Sequence, residues 1–352
     1  MSKIKKIIPS AAKILLFVLL FLCIYDYTGD ALRGSSLSNA VPILAEQPDE
    51  SYDVIFAGSS HMQLAVHPAQ LFAQYGIASC NTASASQSVP TSYYVIKEMI
   101  KRHSPELVVL DLFAINGGEK YFAESWVHEA LDGLPLSPTK VEAINSLLEE
   151  GREAFYLPYT FYHGRWKQLE EKDYNYSLKV IEKYQFSADL ISSQPEPFTP
   201  LEPEKLSELP PVVEEYLEKL IDLCEDTQTK LLLTVAPYRA DADIHENVSA
   251  AELQGRYNSV ARLAEEHGVD YLNTLWYLEE MDFDFTEDLA DRVHLNALGS
   301  EKVSEFYGKY LSENYELPDR SRDSRFEDWH EDCREYMQAL EEHKALCLQA
   351  KK

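Results

Sequence analysis

Short apolar runs alternate with amphipathic segments along this chain, and this alternation constrains its fold more than any other feature. The strand-like runs are short and largely apolar and cover residues 52–58, 77–81, 105–112, 229–238 and 268–273. Helical patterns lie between and after them, at residues 68–75, 89–103, 212–226, 250–266 and 297–314. Apolar strands separated by helices are typical of a parallel sheet that is covered on both faces. The sequence therefore predicts a doubly wound, flavodoxin-like α/β domain in three layers.

An apolar stretch of a different kind stands at the N-terminus. Residues 7–25 are nearly all apolar, and Lys3, Lys5 and Lys6 precede them. A run of this length crosses a bilayer core, and the positive-inside bias keeps the basic start in the cytoplasm. A cleaved signal peptide and a buried core helix are the alternatives. Residues 26–32 contain no convincing cleavage site, so we expect an uncleaved single-pass membrane anchor that leaves the main domain extracytoplasmic.

The segments outside the alternation divide the chain into regions. Residues 1–27 form the predicted cytoplasmic start and anchor, residues 28–51 a polar stalk, and residues 52–316 the main domain. Residues 117–211 are rich in aromatic residues and proline and too long for an ordinary connection, so we expect an insertion that caps or walls a binding cleft. Residues 317–352 form a charged helical tail, for which a solvated helix is the simpler expectation than a partner-binding element.

Acidic residues dominate the composition. The chain carries 59 Asp and Glu against 32 Lys and Arg, a formal net charge of -27. Binding to nucleic acid requires clustered basic residues that release counterions from phosphates, so we expect no nucleic-acid partner. The cysteines show no metal-type spacing, and no cofactor or metal is predicted. Cys333 and Cys347 are the nearest pair for a disulfide, but isolated buried thiols explain the cysteines equally well.

The first strand-like run ends on Gly58-Ser59-Ser60-His61. In an open α/β sheet, ligands bind beyond the carboxyl ends of the strands, so polar residues at this point are candidates for chemistry. Glycine permits a sharp turn, and Ser60 then heads the next segment near free backbone N–H groups. A serine hydroxyl needs a base that removes its proton, and usually an acid that orients the base.

Both partners of the serine occur far downstream, in the polar segment at residues 286–299. Asp291 and His294 are three residues apart, a spacing that brings a carboxylate to an imidazole N–H on one turn and fixes its tautomer. The helix that begins directly after this turn places His294 at the same sheet edge as Ser60. The sequence therefore predicts a nucleophile, a base and an acid at one edge of the sheet.

The G-x-S motif after the first strand and the D-x-x-H motif before the last helix resemble those of the SGNH/GDSL hydrolase superfamily. The resemblance covers residues 52–112 and 231–311. It implies that Ser60 is the nucleophile, Asp291 the orienting acid and His294 the base. It also implies that the main domain is catalytic.

The resemblance implies an oxyanion hole as well. The second family motif contributes a glycine N–H, but the corresponding loop at residues 81–88 has no glycine. The N–H of Ala85 or Ser86 supplies the same group, because the chemistry needs an amide and no side chain. The third motif contributes an asparagine, and Asn116 is the nearest match, about two residues late. Gln87 is an alternative donor, or else a surface polar residue.

Further polar residues are candidates for substrate binding. His61 stands beside the proposed nucleophile, where it contacts substrate or is a plain turn residue. Arg239 follows the fourth strand at the same sheet edge and suits an anionic group. His163, Arg165 and Trp166 combine a cation with rings, which suits a carbohydrate or an anion, although aromatic clusters also belong to cores.

The predicted anchor and the aromatic insertion are similar to those of extracytoplasmic SGNH proteins that handle acyl groups on envelope polymers. The alginate-acetylation proteins and the teichoic-acid D-alanylation protein are examples. The resemblance implies hydrolysis or transfer of an ester-linked acyl group, most simply acetyl, on an extracytoplasmic glycan or envelope polymer. Transfer would need a membrane-bound acyl-donor partner. The alternatives are a non-catalytic binding or assembly protein for such polymers and, less favoured because no compact ligand set occurs, a metal hydrolase.

Overall fold

A five-stranded parallel β-sheet forms the centre of the protein in the computed structural model of the chain. The structure describes residues 4–33, 51–116, 124–156, 161–169, 202–240 and 248–350. The strands are β1 (Val54–Ala57), β2 (Ser79–Asn81), β3 (Leu107–Asp111), β4 (Lys230–Val235) and β5 (Asp270–Asn273). Their order in the sheet is β2-β1-β3-β4-β5, and every neighbouring pair is parallel. This order confirms the doubly wound, flavodoxin-like α/β fold, in which the strand order reverses between β1 and β3.

Helices connect the strands and cover both faces of the sheet. The α-helices of the described residues are α1 (Ile4–Arg33), α2 (Ser60–Ala65), α3 (Pro68–Tyr75), α4 (Val89–His103), α5 (Glu124–Leu131), α6 (Pro138–Leu147), α7 (Arg152–Tyr156), α8 (Pro211–Thr227), α9 (Ala250–His267), α10 (Ala297–Asn314) and α11 (Glu327–Ala350). Three of them have the bounds that the sequence predicts, namely α3, α4 and α10. Local signals explain such agreement: Ser88 accepts a hydrogen bond as the N-cap of α4, and Gly76 ends α3 in a left-handed conformation.

The core lies on both faces of the sheet because the strands are buried on both sides. Val54 and Phe56 of β1 pack in one cluster with Val303 and Tyr307 of α10. On the other face, α4 packs on β1 and α8 packs on β4, and the two helices contact each other. Side chains alternate between the two faces along a strand, so a strand covered on both sides is apolar throughout. This burial on both faces explains why the strand-like runs of the sequence are apolar without interruption.

The chain divides into two compact units. The smaller comprises Met1–Ser38 and Glu150–Leu178, and the larger comprises Asn39–Glu149 and Lys179–Lys352. In the smaller unit, α1 spans 30 residues, about 45 Å at about 1.5 Å per residue. Its large apolar side chains between Ile14 and Ile24 are 42% to 68% exposed. This helix is long and apolar enough to cross a membrane over Ala12–Gly29, while its orientation and its retention in the mature protein stay predictions.

The insertion is partly helical, which its aromatic and proline-rich composition does not predict. Residues 124–149 belong to the larger unit, where α6 packs against α4 and buries Ala143 and Ile144. An ion pair between Lys97 and Glu142, at 2.7 Å, lies across the same contact. This part therefore adds a helix beside the sheet. Residues 117–123, 157–160 and 170–201, and most of the predicted stalk, lie outside the described residues, so the predicted cap stays a prediction.

The charged tail is helical as predicted, but the expectation of a solvated helix is wrong. Helix α11 packs on α3 and α10, and its buried side chains are Cys333, Tyr336, Leu340 and Cys347. Ahead of the helix, Arg320 makes two hydrogen bonds to the carboxylate of Asp53, at 2.7 and 2.9 Å. The four buried positions follow a helical repeat that the many charged residues between them conceal. The tail is therefore an integral part of the larger unit.

Candidate active site

The turn after β1 places Ser60 at the carboxyl edge of the sheet. Gly58 adopts a φ of +148°, a conformation that side-chain-bearing residues rarely adopt, and a Cβ atom there would lie 3.0 Å from the Cβ of Asp111. Ser59 follows in an extended conformation and caps α2, whose first residue is Ser60. The glycine thus lets the chain turn sharply, and Ser60 begins a helix directly above the strand end.

A continuous chain of hydrogen bonds joins Ser60, His294 and Asp291. The Oγ of Ser60 lies 2.8 Å from the Nε2 of His294, although the two residues are 234 positions apart. The Nδ1 of His294 lies 2.8 Å from the Oδ2 of Asp291. The other carboxylate oxygen of Asp291 accepts hydrogen bonds from the backbone N–H groups of Val293 and His294, each at 2.8 Å. The structure therefore brings together the three residues that the sequence predicts as nucleophile, base and acid.

The charges of Asp291 and His294 suit removal of the proton from Ser60. Burial acts to raise the pKa of Asp291, but the hydrogen bonds from the His294 ring and from two backbone N–H groups outweigh it and lower that pKa. Asp291 is therefore a carboxylate at neutral pH and accepts the Nδ1–H of His294. In neutral His294 the Nε2 lone pair then faces the hydroxyl of Ser60, as a general base requires.

Neighbouring residues hold the loop that carries Asp291 and His294. Asn296 caps α10 by accepting hydrogen bonds from Leu298 and Gly299, and its amide donates to the carbonyl of Glu287 at 2.7 Å. Asp288, another acidic residue of this segment, is buried and pairs with Lys302 at 2.9 Å. Burial raises the pKa of Asp288. Asp291 is thus the acid that contacts the imidazole, and Asp288 supports the loop.

Two backbone N–H groups near Ser60 are candidates for the predicted oxyanion donors. The loop after β2 runs along the end of β1, where the N–H of Ser84 donates to the carbonyl of Gly58 at 3.2 Å. Ala85 is the next residue. Within the described part of the chain, neither the N–H of Ser60 nor that of Ala85 donates to a protein acceptor. These two amides are therefore available to an external oxygen, and the next residue of the loop, Ser86, has a left-handed conformation with φ of 51°.

Asn116 lies at the same edge, at the end of the 3-10 turn Phe113–Asn116 that follows β3. Its Oδ1 accepts a hydrogen bond from the Nη1 of Arg256 at 3.2 Å. A guanidinium group only donates, so the amide must present its oxygen to Arg256. The Nδ2 of Asn116 is buried and has no hydrogen-bond partner among the residues that the structure describes. An unpaired buried donor is costly, and this one suits an oxygen that the substrate supplies.

Burial excludes two other predicted contacts from direct substrate binding. His61 is fully buried, and both of its ring nitrogens lie within hydrogen-bonding distance of protein acceptors. Gln87 is also buried, and its amide bonds to Ser84 and Ser92 at 2.8 and 3.0 Å. The predictions that His61 contacts substrate and that the Gln87 side chain acts as a substitute oxyanion donor are therefore wrong. Adjacency in sequence to Ser60 or Ala85 does not show on which side of the sheet edge a side chain lies.

The remaining predicted contacts stay predictions. The backbone N–H of Arg239 donates to the carbonyl of Arg292 at 3.0 Å, so the loop after β4 meets the loop that carries Asp291. This places Arg239 beside the candidate site, where its role toward an anion remains to be tested. His163, Arg165 and Trp166 belong to the smaller unit, in the 3-10 turn His163–Lys167. There Arg165 donates to the backbone carbonyl of Leu32.

Sequence reasoning missed three residues that support the site. Asn81 donates its side-chain amide to the carbonyls of Met62 and Val66, both at 3.0 Å, and so holds α2. Asp111 bonds to the ring of His61, and Arg256 orients Asn116. Asp111 had a visible signal, because it is an acidic residue at the end of an otherwise apolar strand. Arg256 had none, since it stands in an amphipathic helix among other charged residues.

The structure offers no metal centre among the residues that it describes. No group of three or more His, Cys, Asp or Glu side chains in those residues is arranged to hold a metal ion. All the cysteines lie in described segments and are free thiols, which rules out a disulfide between Cys333 and Cys347 in this structure. Burial raises the pKa of Cys224 and of Cys333 to about 12, so both are neutral.

Comparison with known proteins finds similarity only among solved structures. No family model and no curated protein matches the sequence. A lipolytic protein of the G-D-S-L family from Desulfitobacterium hafniense DCB-2 is 12% identical, over 74% of this chain and 99% of that one, with a TM-score of 0.38. An acylhydrolase from Bacteroides fragilis NCTC 9343 is 11% identical, over 76% and 91% of the two chains, with a TM-score of 0.38. A GDSL-like lipase from Bacteroides thetaiotaomicron VPI-5482 is 12% identical, over 76% and 90%, also with a TM-score of 0.38.

Proposed function

We propose that this chain, with its SGNH/GDSL-type motifs, is a serine-dependent esterase or acyltransferase in which Ser60 is the nucleophile. The observation that carries the proposal is the hydrogen-bonded chain from Ser60 through His294 to Asp291, with 2.8 Å at each step. Serine becomes a nucleophile only when a positioned base takes its proton. A buried or randomly oriented serine would have no such base, and no oriented carboxylate behind it.

The geometry supports a two-step acyl transfer. The Oγ of Ser60 attacks the ester carbonyl carbon while the Nε2 of His294 accepts the hydroxyl proton, and Asp291 stabilises the imidazolium that results. The negative oxygen of the tetrahedral intermediate is received by the N–H groups of Ser60 and Ala85 and by the amide of Asn116. His294 then gives its proton to the departing alkoxide, which leaves an acyl group on Ser60.

The second step decides between hydrolysis and transfer. Water that enters the site releases the acyl group as an acid, whereas a sugar hydroxyl that enters instead receives the acyl group. In both cases His294 removes the proton from the incoming hydroxyl and returns it to the Oγ of Ser60. The apolar helix α1 supports an enzyme held at a membrane, and the basic residues before it favour an extracytoplasmic main domain. Its substrates would then be acyl groups, acetyl above all, on glycans or envelope polymers. A membrane-bound acyl donor would then supply the transferase reaction.

A fluorophosphonate probe tests the nucleophile directly. The probe phosphonylates only serines that a base activates, so we expect one adduct on the native protein and none on Ser60→Ala. Ser312→Ala is the matched control, because Ser312 is exposed on α10 and bonds to a carbonyl of its own helix, that of Lys309. Absence of labelling on a folded native protein would favour the alternative of a non-catalytic binding or assembly protein.

Asn116 provides a test of the oxyanion pocket. The variant Asn116→Asp keeps the size of the side chain and can still bond to Arg256, but it removes the N–H donors. We expect kcat for an aryl acetate to fall by about 10²-fold to 10³-fold, the usual effect of one lost oxyanion donor, with KM nearly unchanged. Asn314→Asp is the control, because Asn314 is exposed on α10. An equal kcat for Asn116→Asp and the native protein would remove Asn116 from the pocket.

A further inference from the structure

The residue that follows Ser60 is a fully buried histidine. The ring of His61 lies 4.5 Å from the ring of Phe113 and 5.3 Å from the ring of Tyr238, measured between centroids. No part of His61 is exposed. The acid-base steps above do not use this imidazole. A buried titratable group that directly adjoins a nucleophile therefore requires an explanation of its own.

Both ring nitrogens of His61 face oxygen acceptors. The Nε2 lies 3.2 Å from the carbonyl oxygen of Pro237, and the Nδ1 lies 3.1 Å from the Oδ2 of Asp111. A carbonyl oxygen only accepts, so Nε2 carries a proton. The contact between Nδ1 and Asp111 holds a second proton, which belongs either to the imidazole or to the carboxyl group.

The surroundings of Asp111 assign that second proton to the imidazole. Its Oδ1 accepts the N–H of Ala236 at 3.0 Å, and its Oδ2 accepts the N–H of Phe113 at 3.2 Å. Backbone donors of this kind favour the ionised form of a carboxylate. The unpaired charge of a buried carboxylate is costly, and the imidazolium of His61 neutralises it.

The other titratable groups packed around the pair are tyrosines. Tyr238 lies against the His61 ring, and its hydroxyl is 3.0 Å from that of Tyr257 on α9. Burial, together with the charge of Asp111, raises the pKa of Tyr238 far above its ordinary value, and burial does the same for Tyr257. Burial, with the charge of Asp111, also raises the pKa of Tyr307 far above its ordinary value. All three tyrosines are therefore neutral. Asp111 is thus the charged partner of His61 within this cluster.

This pair connects the ends of the strands that carry the candidate site. His61 is the second residue of α2, which begins shortly after β1, Asp111 ends β3, and Ala236 and Pro237 follow β4. The first of these strand ends carries Ser60, the second leads to Asn116, and the third leads to Arg239. The Cβ of Asp111 also lies where any side chain at position 58 would clash. The pair therefore sits beneath the site, at the point where the three loops begin.

We propose that His61 is held as a doubly protonated imidazolium by Asp111 and the carbonyl of Pro237, and that this ion pair positions Ser60. The imidazolium ties the turn after β1 to β3 and β4, which keeps the hydroxyl of Ser60 against His294 and its N–H directed toward the oxyanion. His61 and Asp111 touch neither substrate nor the reacting atoms, so both are positioning residues. The functional half of this inference rests on the proposed role of Ser60, and the charge state does not.

The charge state is testable by nitrogen NMR of the native, full-length protein in detergent with isotope-labelled histidine. We expect the His61 ring to show two protonated nitrogens at neutral pH, because both of its ring nitrogens face oxygen acceptors. The spectrum of His61→Gln assigns the signals. A single protonated nitrogen on His61 under these conditions would overturn the proposal, whatever the activity of the protein.

The positioning role is testable with Asp111→Asn, which keeps the side-chain size and leaves His61 neutral. We expect kcat for an aryl acetate and the rate of fluorophosphonate labelling both to fall at least about tenfold while KM changes little, because the nucleophile is misplaced and substrate contacts are kept. The matched control is Asp132→Asn, since His128 on α5 and Asp132, the residue directly after this helix, form another buried pair at 2.9 Å. Circular dichroism and thermal unfolding establish that both variants are folded.

The comparison of the two pairs separates positioning from plain stability. Equal losses of activity in Asp111→Asn and Asp132→Asn, in proportion to their losses of stability, would show that the His61 pair is structural only. An Asp111→Asn variant that labels at the native rate would do the same. If the native protein has neither esterase activity nor labelling, the proposed function fails, and the NMR result still decides the charge of His61.

Discussion

Replacement of Ser60 by alanine is expected to abolish turnover of an aryl acetate such as p-nitrophenyl acetate by the purified protein. The variant lacks the oxygen that attacks the carbonyl, and a triad of this kind loses on the order of 10⁴-fold to 10⁶-fold in kcat when its nucleophile is removed. Ser60 contacts the ring of His294 at 2.8 Å, so alanine removes this interaction and leaves the surrounding backbone in place. The steady-state rate of release of nitrophenol measures the effect.

Two further variants make this expectation specific. His294→Ala is expected to cost about as much as Ser60→Ala, and the double variant no more than either, because residues that act as one unit are strongly non-additive. Asp291→Asn is expected to cost less, because its side chain is 56% exposed and solvent compensates in part for the lost charge. Native-like turnover by a folded Ser60→Ala protein would refute the assignment of the nucleophile.

Deletion of the tail, residues 319–352, is expected to unfold the larger unit. The deletion removes the buried side chains of Phe326, Tyr336 and Leu340 and the bonds of Arg320 to Asp53. Each buried apolar side chain contributes about 1.5–3 kcal/mol, so the loss is on the order of 5–9 kcal/mol. A domain of this kind is stable by only about 5–15 kcal/mol. Soluble yield and the thermal unfolding transition of the truncated protein measure the outcome.

Point variants on α11 distinguish the contribution of its buried side chains to stability from the effect of shortening the chain. Leu340→Ala, at a fully buried position, is expected to lower the free energy of unfolding by about 2–5 kcal/mol. Gln338→Ala, at an exposed position on the same helix, is the control and should stay within about 0.5 kcal/mol. If the truncated chain unfolds at the same temperature as the native protein, the tail is dispensable for stability.

Local signals explain why much of this fold was predictable. Helix α4 was placed correctly because Ser88 caps it and apolar side chains recur along one face. The strands were recognisable because burial on both faces leaves no room for polar alternation, as in the Leu107–Asp111 run. The triad was predictable for a related reason, since Ser60 and His294 each stand at a boundary between a loop and a helix. Residues at such boundaries project from the same sheet edge.

Other features depended on contacts that no local pattern records. The tail was misjudged because its buried side chains, such as Cys333 and Leu340, are few among many charged residues. Their partners on α3 lie some 260 positions earlier in the chain. The helices of the insertion, such as α6, were missed because aromatic residues and proline obscured the periodicity there. In each case the partner surface, and not the segment itself, determined the outcome.

The sequence by itself determined where the strands and most helices of the larger unit lie, and which residues stand at the strand ends. It did so because backbone propensity, helix capping and the apolar pattern of buried segments are all visible within a few neighbouring residues. Only the tertiary structure decided that Ser60 meets His294 across 234 residues, and that the adjacent His61 contacts Asp111 and Pro237 instead. One side chain faces the loops of the site, and the other faces a buried carboxylate from a different strand. The contact between His61 and Asp111 exists because β3 lies beside β1 in the sheet. No pattern along the sequence specifies that strand order.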